Sequence, residues 1–367
     1  MLELAVIGGG PAGLIAAREA ARKGVEVAVF EEHHEIGEPE RCAGLLSLSG
    51  LKKIKISPYG KHLQNLVRGA VIKGITGKIY SIKLRRPVAA VVSRRIFDKE
   101  LAGQAEKAGA EIICGTRVKK VQRSGDSFTL TAVKGCFSSR WVIDAEGAGA
   151  SILQGFLGLR TEPSRWVPIV QLIVEGHDLD RNLVYMYFKR YLPHFFSYLV
   201  PIDDDLGKLG VASRAPNLKK LLERFLREEF PDVRILSRSH HLVYTGFPID
   251  SVLLYPTRFI PVGDAAGHVK ATTGGGVIMG GYISANLASA VAEEIRGGCS
   301  ERFLRESSKV IEELRKIALL RKLFASMDSP ALDLFFSLLF SSPGKAFLSR
   351  FADMDFQVTS LLKLKQP

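Results

Sequence analysis

The sequence has 367 residues, 46% of them hydrophobic and 24% charged, which excludes a disordered or fibrous chain and allows two or three domains with a sizeable core. The longest uncharged stretch, 271–292, is too rich in glycine, threonine and serine for a membrane helix, and four scattered cysteines (Cys42, Cys114, Cys136, Cys299) without a CxxC argue against a disulfide scaffold or a metal site. Lysine and arginine total 51 against 38 acids, a net charge of +13, and thirteen of those bases lie between Arg41 and Phe97 without a single acid.

In chain order, MLELAVI reads as a strand with no basic n-region, so no signal peptide is expected and the cytoplasm is the expected compartment. Residues 14–22 have helical spacing closed by Lys23-Gly24, and 25–30 is a second strand ending at Glu31. Short strands fill 67–92, a helix 93–108, and strands 110–113, 117–121, 127–133 and 140–143, the last closing on Asp144-Ala145-Glu146-Gly147. Residues 156–250 read as a mainly β layer with one helix at 218–229. A buried strand at 259–262 leads into a glycine-rich segment and a helix at 283–296. From 301 onwards the pattern is helical, broken at Ser329-Pro330 and Ser342-Pro343-Gly344.

Three motifs carry chemistry. The first is Gly8-x-Gly10-x-x-Gly13, between a strand and a helix. Its glycines permit the turn, the approach of backbone to a pyrophosphate, and close packing of helix on sheet. Glu31 ends the next strand, where a carboxylate accepts from ribose hydroxyls. The second is Gly263-Asp264 followed by Gly274-Gly275-Gly276-Val277, suited to a sugar hydroxyl at Asp264 and to anion contact at the Gly276 and Val277 amides. The third is Ser93-Arg94-Arg95, entering a helix. A solvated basic face and a generic glycine loop are the ordinary alternatives for the last two.

Together these motifs resemble the two-dinucleotide-binding-domain flavoproteins of the aromatic-hydroxylase type, in which an arginine at the place of Arg94 reaches the flavin. Pro39-Glu40-Arg41-Cys42-Ala43-Gly44 resembles the P-x-R-C-A signature of the geranylgeranyl reductase family, which saturates isoprenoid chains. The resemblance implies an α/β dinucleotide-binding fold for FAD with an antiparallel β substrate domain and a helical C-terminal region. It implies an FAD domain in three pieces (1–65, 91–155, 251–300), a substrate domain in two (66–90, 156–250) and a helical cap (301–367). The family's cofactor contacts fall on Ala12, Glu31, Cys42, Ala43, Leu45, Arg94, Val118, Asp264, Gly276 and Val277, beside the loop glycines Gly8, Gly10 and Gly13 and the neighbouring Arg41.

Saturating an alkene takes a hydride, from the flavin, and a proton. By the same resemblance Cys42 lies near the flavin and is the candidate proton donor, with Arg41 favouring the ionised thiol or meeting a phosphate head; packing as a small hydrophobe is the alternative for Cys42. The rings Tyr185, Tyr187, Phe188, Tyr191, Phe195, Phe196 and Tyr198 are material for a long apolar slot or, for most of them, an ordinary sheet core. The implied partners are a prenyl lipid, an electron donor that is NAD(P)H or ferredoxin, and a membrane surface on its inner face; no nucleic-acid motif is present. A flavin monooxygenase or halogenase on the same scaffold and a prenyl-binding escort are the rival readings.

Overall fold

Residues 4–7 and Val27–Phe30 are apolar and buried on both faces, and each pairs with parallel partners, the pattern of a sheet covered on both sides. In the computed structural model, which describes residues 1–362, contacts divide the chain into two units. The first comprises Met1–Pro39, Arg95–Arg165 and Tyr244–Ala318; the second comprises Glu40–Arg94, Trp166–Val243 and Leu319–Pro367.

The first unit holds a seven-stranded sheet in the order Glu111–Ile113, Val27–Phe30, Leu2–Ile7, Gly135–Asp144, Ser127–Ala132, Val118–Ser124, with Phe259–Pro261 also paired to Gly135–Asp144. Its register matters for the site. Ile7 pairs with both Phe30 and Asp144, and Asp144 pairs with Pro261. Four parallel strands therefore end at one level. The loops that begin at Gly8, Glu31, Ala145 and Val262 all leave from that carboxyl edge, where open α/β sheets bind ligands.

Helix Pro11–Ala21 follows the first loop and packs against helix Val277–Ile295. The latter begins six residues before the expected start at 283. Gly280 and Gly281 look like breaks in sequence but are buried inside the helix. A Cβ on Gly280 would lie 3.3 Å from the Gly263 Cα, so the glycine serves close packing rather than termination.

The second unit holds a seven-stranded sheet in the order Arg234–Tyr244, Trp166–Glu175, Leu206–Ala212, Ser197–Pro201, Leu183–Tyr187, Gly69–Lys73, Ile79–Lys83. Residues alternate between its faces. One face packs Leu172, Tyr185, Tyr187, Leu199, Leu209 and Val211 against Leu222, Phe225 and Phe230 of and after helix Leu218–Glu229. On the other face, Ile169, Val184, Tyr198, Val200 and Ala212 meet a three-stranded sheet of Leu45–Ser47, Ala89–Val92 and Leu63–Val67.

The proline signals near the C-terminus are helix starts. Asp328 accepts from the Ala331 N–H and Ser341 from the Gly344 N–H, capping Ser329–Leu339 and Ser342–Phe351, each with proline in its first turn. Leu332 and Phe336 bury themselves against Ile72 and Tyr80, whereas Leu334 and Leu338 stay 61% and 65% exposed.

Candidate active site

The carboxyl edge of the first unit collects most of the nucleotide-binding residues read from sequence. Gly8 has φ +100°, and a Cβ there would stand 2.3 Å from the Ala145 carbonyl oxygen; one on Gly13 would stand 2.1 Å from the Gly8 carbonyl oxygen. Glycine is obligatory at both, as turn and as close-packing residue. Gly10 is different. Its φ is −76°, and a Cβ would meet no protein atom within 4 Å. Gly10 caps helix Pro11–Ala21 without a side-chain hydrogen bond, and the first turn carries no acid. Free N–H groups facing open space form an anion cradle that the protein itself leaves empty of side chains.

Glu31 is buried at the rim of this loop. Its Oε2 accepts from the Gly9 N–H at 2.6 Å, and its Oε1 accepts from the His33 N–H at 2.9 Å and meets His33 Nδ1 at 2.6 Å. The carboxylate thus arrives oriented, with lone pairs remaining for a diol. Asp264 lies in the 3-10 turn Gly263–Ala266, and its Oδ1 would be 3.0 Å from a Cβ on Gly276, the residue that caps the helix opening at Val277. Gly263 approaches Ala12 just as closely, a Cβ there falling 2.8 Å from that of Ala12. Ala12, Asp264, Gly276 and Val277 therefore converge on the glycine loop. Val118 is buried with Ile7 and Phe30 in the core beneath.

Asp144 stands at the end of its strand, in the Asp144-Ala145-Glu146-Gly147 motif. It is fully buried, its Oδ1 accepts from the Glu146 N–H at 3.2 Å, and its Oδ2 has no partner among the described residues. Burial first, then the nearby Glu146 charge, pushes its carboxyl well above the usual range. An unpaired buried polar atom beside an open anion cradle fits a polar ligand such as the dinucleotide part of FAD.

Arg41, Cys42, Ala43, Leu45 and Arg94 belong to the second unit. Arg41 is exposed; His241, whose pKa burial and then the Arg41 charge hold down at about 4, is its electrostatic neighbour. Cys42 is half-buried, its Sγ accepting from the Gly44 N–H at 3.4 Å. Ala43 and Leu45 pack into the apolar cluster of Val91, Ile169 and Tyr198. The Arg94 N–H donates to Glu40 Oε1 at 3.0 Å.

The polar groups holding this segment escaped sequence reading. Lys208 is 1% exposed and donates to Glu40 Oε1 at 3.1 Å and to the Val92 carbonyl at 2.8 Å. Gln171 donates to the Cys42 carbonyl at 3.2 Å. The signal was a polar residue in the interior of each of two otherwise apolar runs, Gln171 in WVPIVQLIVE and Lys208 in LGKLGVA.

The aromatic slot is corrected in part. Tyr185 and Tyr187 lie on the sheet face that packs helix Leu218–Glu229, because strand alternation sends them away from Met186 and Phe188. Tyr191 bonds Glu228 at 2.7 Å. Phe188, Phe195, Phe196 and Tyr198 remain on the Cys42 face.

Residues 3–153 match the family model described as FAD dependent oxidoreductase. The chain is 27% identical to a protein named digeranylgeranylglycerophospholipid reductase 1 from Methanothermobacter thermautotrophicus, over 99% of this chain and 94% of that one. Among solved structures it is similar to a geranylgeranyl bacteriochlorophyll reductase-like protein from Thermoplasma acidophilum, with a TM-score of 0.83, 23% identity, and 99% and 95% of the two chains covered. It is also similar to a p-nitrophenol 4-monooxygenase from Pseudomonas putida, with a TM-score of 0.72, 17% identity, and 100% and 98% covered. The fold is that of the FAD-dependent oxidoreductases.

Two outcomes follow from the first unit's geometry. Gly10→Val will fold, since its side chain meets no protein atom, yet will purify without flavin because the valine occupies the space of the pyrophosphate; full flavin occupancy, read from the visible absorbance, would overturn the assignment. His268 is fully buried in the loop after Asp264, with Nε2 3.3 Å from both Ser251 Oγ and the Ile249 carbonyl, and burial holds its pKa at about 4. The ring folds neutral, so its contribution is complete above the unfolded pKa of about 6.5 and is lost as pH falls towards 4, by up to about 3 kcal/mol. Urea unfolding should show that acid-side loss, and His268→Gln should flatten it; equal slopes in both proteins would refute the role.

Proposed function

We propose that this chain is an FAD-dependent reductase that saturates the isoprenoid double bonds of a geranylgeranyl-type prenyl lipid, an ether phospholipid of the archaeal kind. The observation that carries the reading is similarity along 99% of the chain to a protein named for that reaction, in a chain whose Pro39–Gly44 segment carries the P-x-R-C-A signature.

The Gly8–Gly13 backbone, Ala12, Glu31, Val118, Asp264, Gly276 and Val277 would hold the cofactor, and the P-x-R-C-A resemblance adds Arg41, Cys42, Ala43, Leu45 and Arg94 to its contacts. FAD, when bound, supplies the hydride. Cys42 Sγ holds the proton for the second alkene carbon, on a loop whose neighbours Ala43, Leu45 and Phe196 are apolar and exclude water. Arg41, exposed and without an ion pair among the described residues, meets the lipid's phosphate head. The electron donor would be NAD(P)H or a ferredoxin, an acidic protein being favoured by exposed bases such as Lys61, Arg68, Arg85 and Arg86.

No single helix among the described residues is long and apolar enough to cross a membrane. Exposed Leu319, Leu323, Leu334 and Leu338 instead give the C-terminal helices an apolar surface, beside Lys322 and Lys345, for resting on the bilayer from which the lipid comes.

The monooxygenase and halogenase reading rests on the shared scaffold. Neither tryptophan favours it: Trp141 is buried against Tyr255, and Trp166 opens a strand without a W-x-W-x-I-P pattern. The escort reading is not favoured, because the anion cradle at Gly10 and both glycine loops are intact.

Chemically reduced protein incubated anaerobically with a geranylgeranyl ether lipid should yield products heavier by about 2 mass units per double bond, by two-electron stoichiometry. Products heavier by about 16, or a requirement for oxygen, would overturn the proposal in favour of oxygen insertion.

A further inference from the structure

We infer that Gln171 and Tyr198 are positioning residues for Cys42: the Tyr198 hydroxyl orients the Gln171 amide, and that amide orients the Cys42 carbonyl. The inference rests on the reading of Cys42 as the working thiol.

The chain of bonds is short and buried. Tyr198 donates to Gln171 Oε1 at 2.9 Å, and Gln171 Nε2 donates to the Cys42 carbonyl at 3.2 Å. Tyr198 is 7% exposed and Gln171 4%. A glutamine between a phenol and a carbonyl has only one useful orientation, since its oxygen must accept and its nitrogen must donate. The carbonyl, which can only accept, turns the amide nitrogen toward Cys42, and the tyrosine's bond to the amide oxygen holds it in that orientation. Burial, followed by the nearby Cys42, raises the ionisation of the phenol far above neutrality, so it stays a donor.

The two side chains sit on strands that are not neighbours. Between Trp166–Glu175 and Ser197–Pro201 lies Leu206–Ala212, and Gly210 pairs with both Gln171 and Tyr198. The tyrosine ring lies across that glycine. A Cβ on Gly210 would stand 2.1 Å from the ring's Cζ and 2.5 Å from its hydroxyl. Gly210 has no positive φ to explain it, so its missing side chain is what lets the phenol reach past one strand to the next.

The other end of the segment is held separately. Lys208, two residues before Gly210, holds Glu40, and Gly44, at φ +71°, lies so close to the Val92 carbonyl that a Cβ would approach it to 2.1 Å. Glu40 fixes where the loop sits, and Gln171 fixes how the Cys42 peptide is turned and with it the direction of the thiol.

The test is the rate of iodoacetamide alkylation at Cys42, quantified on its own peptide by mass spectrometry from pH 6 to 9, so that the other cysteines do not contribute. Tyr198→Phe and Gln171→Met should each change the Cys42 rate by roughly five-fold or more, the scale of one intramolecular hydrogen bond. Gly210→Ala should do the same without altering either group. Because the bonds act in series, the Tyr198→Phe/Gln171→Met double variant should match Gln171→Met alone. Tyr198→Phe removes one oxygen and will keep the fold, so a failure of Gly210→Ala to fold leaves the test standing. Unchanged Cys42 rates and pH profiles in Tyr198→Phe and Gln171→Met, or multiplying effects in the double variant, would overturn the inference. Lipid reduction by the parent protein is scored separately. If it is absent while Cys42 reactivity shifts as stated, the positioning role holds and the proposed reaction fails.

Discussion

The second unit is organised around one buried cation. Lys208 has lost its water, and an unmatched ammonium in that place would cost several kcal/mol. Its match is Glu40, half-buried, in the same segment as Cys42. The pair obliges that segment to lie on the polar strip of an otherwise apolar sheet face. The Glu40 carboxylate also accepts the Arg94 N–H, and Lys208 also donates to Val92, so three separate stretches of chain meet at one ion pair. Removing one partner of such a pair typically costs about 3–5 kcal/mol, because the other charge stays buried. The arrangement is therefore more a statement about uniqueness of position than about net stability.

The first unit solves a different problem by the same economy of side chains. Its parallel strands end level, and the loops at the site are built largely from residues with little or nothing beyond Cα. Gly8, Gly13 and Gly263 bring backbone within contact of backbone or of Ala12. Gly10 instead faces open space. The polar groups that remain, Glu31 and Asp144, are pre-oriented by backbone N–H donors, so a ligand entering here meets dipoles already in place.

Much of this was legible in the amino-acid sequence because it depends on local rules. The strand–glycine loop–helix opening, Glu31 at the end of the second strand and the Gly263-Asp264 turn all follow from spacing. The helix Leu218–Glu229 falls where its periodicity puts it. What escaped notice depends on contacts between residues far apart in sequence. Glu40 was in view within its motif, but its partner lies 168 positions away. Gln171 and Lys208 are polar residues in the interior of apolar runs, a pattern that marks an inward polar group but not what it touches. Gly210 reads as a weak point in a strand until the ring of Tyr198 is seen across it. Gly280 and Gly281 misled for the same reason: a glycine reports a missing side chain, and only the neighbour tells whether the absence serves a turn or a contact.

The segment that carries Cys42 is held at its thiol by a backbone N–H, at its carbonyl by an amide and at Glu40 by an ion pair. The most direct measurement is anaerobic turnover of a geranylgeranyl lipid by Cys42→Ala and Cys42→Ser proteins that retain full FAD. A thiol that delivers the proton requires Cys42→Ala to lose roughly 10²–10⁴-fold in rate, the usual worth of a positioned acid, with Cys42→Ser intermediate. Turnover by Cys42→Ala at the parental rate would contradict it, leaving the thiol as packing and the surrounding bonds without a catalytic purpose.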